Sequence, residues 1–254
     1  MKSRHLHRTF CLLAAFLVAT TISAVAGQRK FAFSYETTTA PQGSVEIENW
    51  VTWKETRNAE GRSDRFDFRH ELEFGVTEHF QIGLYLADWT YSPDDTEKKA
   101  RYEHSAIELI YSFTDPTTDW LGSAAYLEIT GGDDVLELEG KLLLQKNFGP
   151  VTVAYNAVLE AAWEGSHLEE RTGEFQQTFG VSYSLNHHFS VGGELLHEIE
   201  FPNWGTAEDS RVWAGPNLSF RAGRFYATVA GLFQVTNVAA EPDTQTRLIL
   251  GFSF

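Results

Sequence analysis

Most of this chain alternates between apolar and polar residues with a period of two. In the segment Phe66–Phe74, phenylalanine and leucine take one parity and charged residues take the other. The segments Val151–Ala161 and Phe175–Leu185 repeat the pattern. Because successive side chains of a β-strand point to opposite faces of a sheet, the pattern predicts strands with one apolar and one polar face. The sequence therefore predicts an all-β fold, with no helix after the N-terminal region.

The alternation divides into about twelve segments separated by polar turn residues. The predicted strands cover residues 44–54, 65–76, 80–90, 102–113, 121–130, 135–148, 151–163, 174–185, 189–201, 210–220, 225–236 and 243–254. Most are longer than the roughly 5–6 residues typical of soluble strands. They match the roughly 9–11 residues that a tilted strand needs to cross a bilayer.

The connections between these strands alternate in length. Those near 77–79, 147–150, 186–188 and 221–224 are short, whereas those at 55–64, 91–101, 164–173 and 202–209 are long and charged. Short turns at one end and longer loops at the other are typical of outer-membrane barrels, as are aromatic residues at both ends of the strands. We therefore predict a transmembrane antiparallel up-and-down β-barrel of about 12 strands. A soluble β-sandwich is the alternative, because alternation alone does not identify the face that meets water.

The N-terminus has the features of a secretory signal peptide. Lys2, Arg4 and Arg8 precede the apolar run Phe10–Ala19, and Ala24–Ala26 has the small-x-small form of a cleavage site. The predicted organisation is a signal peptide over 1–26, an N-terminal lead, extra half-strand or short plug over 27–43 and a barrel over 44–254. The expected location is the cell outer membrane.

The final strand, which ends the printed sequence at Phe252 and Phe254, resembles the assembly signal of outer-membrane barrels. The resemblance implies the barrel-assembly machinery as a partner, together with outer-membrane lipid and lipopolysaccharide.

The polar parity of the strands predicts the residues that line the lumen. They include Glu46, Glu48, Asp67, Arg69, Glu71, Glu73, Glu108, Glu128, Glu137, Glu139, Lys141, Glu160, Glu194, Glu198, Arg211 and Arg247. Because carboxylates dominate this set, an open lumen would favour cations over anions. Ion pairs that fill the lumen would instead close it.

A few residues fit this assignment poorly. His70, Asp88, Gln177 and His197 fall on the lipid-facing parity. Pro216 lacks the N–H that a central strand needs, so we predict a bulge or an early strand end there.

Composition excludes several classes of function. With 20 Lys and Arg against 35 Asp and Glu, the chain lacks the positive charge that nucleic-acid binding requires. Its single cysteine, Cys11, lies in the predicted signal peptide, and we predict no metal site, cofactor or catalytic residue. His104 and Ser105 are adjacent, but neighbours in a strand point to opposite faces and cannot form a catalytic pair.

Two stretches carry a family resemblance: FAFSYETTTAPQGSVEIENWVTWK over Phe31–Lys54 and FRHELEFGVTEHFQIGLYLADW over Phe68–Trp89. They resemble an uncharacterised family of Gram-negative outer-membrane β-barrels. The succession of turn and strand is more distantly similar to the outer-membrane porins of the phenol-degradation (MetA-like) type. The resemblance implies an outer-membrane barrel and adds no catalytic residue.

The expected function is a narrow, porin-like channel or transporter for small polar or cationic solutes, and the sequence does not identify the solute. The first alternative is a closed barrel with a structural, adhesion or envelope-anchoring role. An outer-membrane enzyme that modifies lipid is the third hypothesis.

Overall fold

A computed structural model describes residues 29–58, 61–96, 99–239 and 241–254. The predicted signal peptide, residues 1–26, lies outside the described residues. Within the described ranges there is no helix with the length and apolar character needed to cross a bilayer.

Twelve antiparallel strands form a closed barrel. The strands are β1 (Val45–Asn58), β2 (Gly61–Thr77), β3 (Phe80–Tyr91), β4 (Ala100–Thr114), β5 (Gly122–Gly131), β6 (Val135–Phe148), β7 (Val151–Glu164), β8 (Glu170–Ser184), β9 (Phe189–Pro202), β10 (Arg211–Ala222), β11 (Phe225–Gln234) and β12 (Thr244–Ser253). Each strand pairs with its neighbours in sequence, and β1 pairs with β12 from Glu46↔Ser253 to Glu55↔Thr244. Closure removes the sheet edges that would otherwise leave backbone groups unpaired. The predicted all-β barrel with about 12 strands is confirmed.

The two ends of the barrel differ. At one end, which we call the short-turn end, lie the connections 78–79, 149–150, 185–188 and 223–224, together with the longer 115–121. At the opposite end, the long-loop end, lie 92–99, 165–169, 203–210 and 235–243, together with the short 59–60 and 132–134. The predicted long loop at 55–64 is wrong, because β1 and β2 stay paired as far as Asn58↔Gly61.

The apolar side of the sheet faces outward. On β5 the leucine Leu127 is 43% exposed, whereas its neighbour Glu128 is 6% exposed and points into the barrel. Large apolar side chains are exposed in the same way on many of the other strands, among them Ile107, Leu142 and Leu250. Water disfavours so extensive an apolar surface. The interior of the barrel is correspondingly rich in buried polar and charged side chains.

Asp88 shows where parity counting fails. The pairing of β3 with β4 shifts register between Tyr85 and Asp88. Beyond this shift, the side chains of β3 that would have pointed outward point inward. Asp88 therefore points inward and contacts Arg69 and His104, so its predicted place on the lipid-facing parity is wrong.

The other three polar residues predicted on the lipid-facing parity, His70, Gln177 and His197, form hydrogen bonds across strands. The Nδ1 atom of His70 lies 2.8 Å from Asn49 Oδ1, and the indole N–H of Trp89 donates to His70 Nε2 at 3.0 Å. The amide Nε2 of Gln177 lies 3.1 Å from Nδ1 of His197. These cross-strand bonds satisfy polar groups that would otherwise be costly on an apolar surface.

Pro216 lies within β10, which continues to Ala222, so the predicted early strand end is wrong. The pairs on either side, Ala214↔Phe233 and Asn217↔Ala230, keep one register, so the alternative of a bulge is also wrong. The missing N–H of proline interrupts the ladder toward β11, while pairing with β9 continues.

Candidate functional site in the barrel lumen

The N-terminal segment, residues 29–43, lies mostly inside the barrel, whereas its last residues, 41–43, are exposed. Its backbone joins the wall at the short-turn end, where Gly43 N–H donates to Gly75 O at 2.7 Å and Gly75 N–H donates to Ser44 O at 3.1 Å. A Cβ atom on Gly75 would lie 2.6 Å from Ala40 O, so glycine permits this close backbone approach. Phe31 and Thr37 are completely buried. The segment therefore occupies the lumen instead of lying on the surface.

A single carboxylate of the wall holds the middle of the N-terminal segment. The backbone N–H groups of Ala32, Phe33 and Ser34 each donate to Glu194 at 2.8 Å, and Asn217 Nδ2 donates to the same carboxylate at 3.0 Å. Consecutive backbone N–H groups of this kind form an anion-binding concavity. Bonds to an ionised acceptor are stronger than neutral ones. Glu194 is therefore the main anchor of the segment.

Amide side chains of the wall bond to further backbone groups of the segment. Asn156 accepts from Tyr35 N–H at 2.7 Å and donates to Tyr35 O at 3.0 Å. Gln145 accepts from Thr37 N–H at 2.8 Å, and Gln81 accepts from Ala40 N–H at 2.7 Å. The segment has no regular secondary structure, so these side chains supply the hydrogen bonds that a buried backbone requires.

Aromatic rings of the segment meet cations of the wall near the middle of the lumen. Lys141 Nζ lies 4.3 Å from the ring centre of Tyr35, and the guanidinium of Arg247 lies 4.2 Å from the ring centre of Phe33. Tyr35 also packs edge-on against Tyr126 at 5.1 Å. Such cation–π contacts add to the attachment of the segment to the wall.

Charge at the start of the segment pairs with acid on the wall. Arg29 Nη1 lies 2.6 Å from Glu48 and 3.8 Å from Glu73. Glu36, which belongs to the segment and not to a strand, accepts from Lys30 N–H at 2.9 Å. Burial raises the pKa of Glu36, and the ammonium of Lys30 opposes this shift.

The N-terminal segment separates two cavities. The larger, about 320 Å³, lies toward the long-loop end, and the smaller, about 80 Å³, lies toward the short-turn end. Tyr35 lines both. The lumen is therefore divided near its middle by residues of the segment.

All sixteen residues predicted to line the lumen point into the barrel interior. The larger cavity is lined by Asp67, Arg69, Glu128, Glu137, Glu139, Lys141, Glu160, Glu198 and Arg247. The smaller cavity is lined by Glu46, Glu48 and Glu73. The remaining four, Glu71, Glu108, Glu194 and Arg211, are buried inside the barrel. That a solute passes along these residues stays a prediction.

Acidic side chains outnumber basic ones on the wall of the larger cavity. Eight carboxylates line it, against five Lys and Arg side chains. Some of these charges pair, as in Arg69–Asp88 at 2.8 Å and Lys141–Glu139 at 2.9 Å. Glu160 lines the cavity with no ion pair among the residues that the structure describes. Carboxylates that are ionised and unpaired would attract cations.

Sequence reasoning missed the two glutamines that hold the segment, Gln81 and Gln145. Both share the lumen-facing parity of their strands, Gln81 with Gly83 and Gln145 with Lys141. Parity alone could have predicted that both side chains face the lumen. Their bonds to the backbone of the N-terminal segment depend on the path of that segment through the barrel.

The remaining candidates are on the outer surface or divided between the two faces. His104 points inward and bonds to Asp88 at 3.2 Å, whereas Ser105 bonds to Leu86 O at 2.9 Å on the outer face. Phe252 and Phe254 are exposed outside, with ring centres 5.2 Å apart. The role of these phenylalanines as an assembly signal stays a prediction.

A closed twelve-stranded barrel with an apolar outside and a charged lumen defines the class of this protein, a porin-like β-barrel. The chain belongs, over residues 23–248, to a family of unknown function (DUF6662). No curated protein matches the sequence. The predicted resemblance to an uncharacterised barrel family is confirmed.

Solved structures with the same fold include outer-membrane channels. The COG4313 outer membrane channel from Pseudomonas putida F1 is similar with a TM-score of 0.60 and 12% identity, over 86% of this chain and 98% of that one. The NanC porin is similar with a TM-score of 0.53 and 8% identity, over 82% of this chain and 98% of that one. At these identities the likeness shows the fold.

Proposed function

We propose that this protein is an outer-membrane channel for small cationic or polar solutes, closed at rest by its N-terminal segment. Export by the signal peptide over residues 1–26 and contact of the apolar outer face with lipid and lipopolysaccharide are parts of the proposal. So is recognition of Phe252 and Phe254 by the barrel-assembly machinery.

The observation that carries the proposal is that a separate piece of chain fills the lumen. Barrels of about eight strands are filled by their own side chains, whereas larger ones enclose space. In this barrel of twelve strands, residues 29–43 occupy the short-turn half of that space. Among the residues that the structure describes, the segment is covalently joined to the barrel only at Ser44, so its release would not require any strand to separate.

The preference for cations follows from the charge on the wall. The eight carboxylates and five basic side chains around the larger cavity leave a negative excess. Carboxylates around a narrow passage raise the local concentration of cations and lower that of anions.

Conductance in planar bilayers tests the proposal. We expect the full-length protein to be mostly silent and a variant lacking residues 29–40 to show discrete, cation-selective steps. Heat-modifiable migration on gels checks that both proteins are folded barrels. A folded deletion variant that inserts but conducts nothing would contradict the proposal.

Location is tested separately by fractionation. We expect the protein in the membrane fraction after cell breakage and ultracentrifugation. A folded, detergent-free protein in the aqueous fraction would contradict the outer-membrane placement.

A closed barrel with a structural or anchoring role is the second candidate. It is favoured by the number of bonds to the N-terminal segment, above all the three N–H groups on Glu194. Silence of the folded deletion variant would support this alternative.

A further inference from the structure

Three carboxylates converge in the short-turn half of the lumen. Glu48 and Glu71 are direct partners across β1 and β2, and Glu73 lies two residues further along β2 on the same face. One carboxylate oxygen from each lies within 4.8 Å of the others. Because the three residues approach each other through strand register, their negative charges are held together by the barrel itself.

Glu71 is the unusual member of this cluster. It is only 1% exposed, and neither of its carboxylate oxygens accepts a hydrogen bond from any residue that the structure describes. Glu108, which is buried on the inner face of β4, instead accepts hydrogen bonds from Tyr85 and Gln81. A buried carboxylate that stays ionised needs either hydrogen-bond donors or a cation, because burial removes its hydration. Glu71 therefore has capacity for a ligand.

The charge of the cluster indicates what that ligand is. Glu48 accepts bonds from Trp50 Nε1 at 2.6 Å and from the hydroxyl of Tyr226, and it pairs with Arg29 at 2.6 Å. Arg29 reaches Glu73 only at 3.8 Å. Three carboxylates and one guanidinium carry a net charge of about −2 when all are ionised. A single divalent cation would balance that charge.

We propose that Glu48, Glu71 and Glu73 form a binding site for a divalent cation, with Ca²⁺ the best fit. Calcium takes oxygen ligands at about 2.3–2.6 Å, so two ligands of one ion lie up to about 5 Å apart, which spans the observed cluster. The adjoining cavity of about 80 Å³ is lined by Glu48 and Glu73 and has room for water molecules to complete the coordination shell. The ion would share two carboxylates with Arg29 and so connect the N-terminal segment to the wall.

Terbium luminescence tests the site, with Tb³⁺ as a probe for calcium. The purified barrel, folded in detergent and treated with chelator, is titrated with Tb³⁺ while tryptophan is excited. Trp50 bonds directly to Glu48 and is well placed as the energy donor. We expect saturable emission that Ca²⁺ displaces, with the affinity reduced about tenfold or more in Glu71→Gln, since calcium affinity follows ligand charge.

Glu160→Gln is the matched control, because it removes a carboxylate from the other cavity. It should bind Tb³⁺ as the wild type does. No saturable emission, or equal affinity in the two variants, would overturn the proposal. If Glu71→Gln does not fold on the heat-modifiability gel, Glu73→Gln carries the same expectation. Binding is measured without conductance, so the result is independent of the channel proposal.

Discussion

The two halves of the lumen have similar walls and different contents. In the short-turn half, wall side chains such as Glu194 and Gln145 bond to the backbone of the N-terminal segment. In the long-loop half, wall acids pair with wall bases, as in Lys141–Glu139, around a cavity of about 320 Å³. The polar side chains of the wall therefore find partners in two ways, either in the backbone of the segment or in other side chains of the wall. In the proposed function, the half that depends on a separate segment is the one that opens without breaking the wall.

Removing the anchor carboxylate should have the largest effect. Glu194→Ala leaves three backbone N–H groups without their acceptor, and bonds to charged groups contribute about 1.5–3 kcal/mol each. We expect frequent openings in planar bilayers, approaching the conductance of the variant that lacks residues 29–40.

Glu160→Ala provides the comparison in the long-loop half, because this side chain lines the larger cavity and does not bond to the segment. It should stay as silent as the wild type. Equal conductance of the two alanine variants would mean that the halves do not differ in the way described.

A smaller increase in the frequency of channel opening is expected when a larger side chain crowds the N-terminal segment. A Cβ atom on Gly180 would lie 2.6 Å from Cδ1 of Phe31, so Gly180→Leu should displace that ring at a cost of about 1–3 kcal/mol. Gly140→Leu is the control, because a Cβ atom there has nothing within 4 Å. We expect single-channel openings that are rarer than in Glu194→Ala and no openings in the control. A silent Gly180→Leu variant would indicate that Phe31 is not part of the closure.

The smallest change should be in ion selectivity, measured in the variant that lacks residues 29–40. Neutralising Glu71 and Glu73, or Glu137 and Glu139, to glutamine should move the reversal potential toward zero while conductance persists. Combining all four substitutions should move it further, because each pair acts in a different half. A reversal potential unchanged by all four would remove these residues from the conducting path.

Strand positions could be read from the sequence because side-chain parity is a local property. The predicted range 135–148 is identical to that of β6, and the predicted 151–163 differs from β7 by one residue. Parity fails at Asp88, where the register of β3 against β4 shifts. Such a shift depends on how two strands pair, and neither strand records it alone.

The contents of the lumen were less predictable. Phe31, Phe33 and Tyr35 alternate like a half-strand, yet in the structure this stretch bends and bonds to Glu194 and Asn156 instead of pairing with a strand. The sequence predicted a lead, an extra half-strand or a short plug without choosing among them. The choice depends on whether the closed barrel leaves room for the segment and offers hydrogen-bond partners to its backbone.

By itself the sequence determined which residues form strands and which parity carries charge, since both follow from the alternation of neighbouring side chains. Only the tertiary structure decided which of those charges meet. Glu48 and Glu71 approach through the pairing of β1 with β2, and Glu194 reaches Ala32 across more than 160 positions of sequence. Closure of the barrel brings these distant positions together, and the pattern along a single strand contains no information about the partners across the lumen.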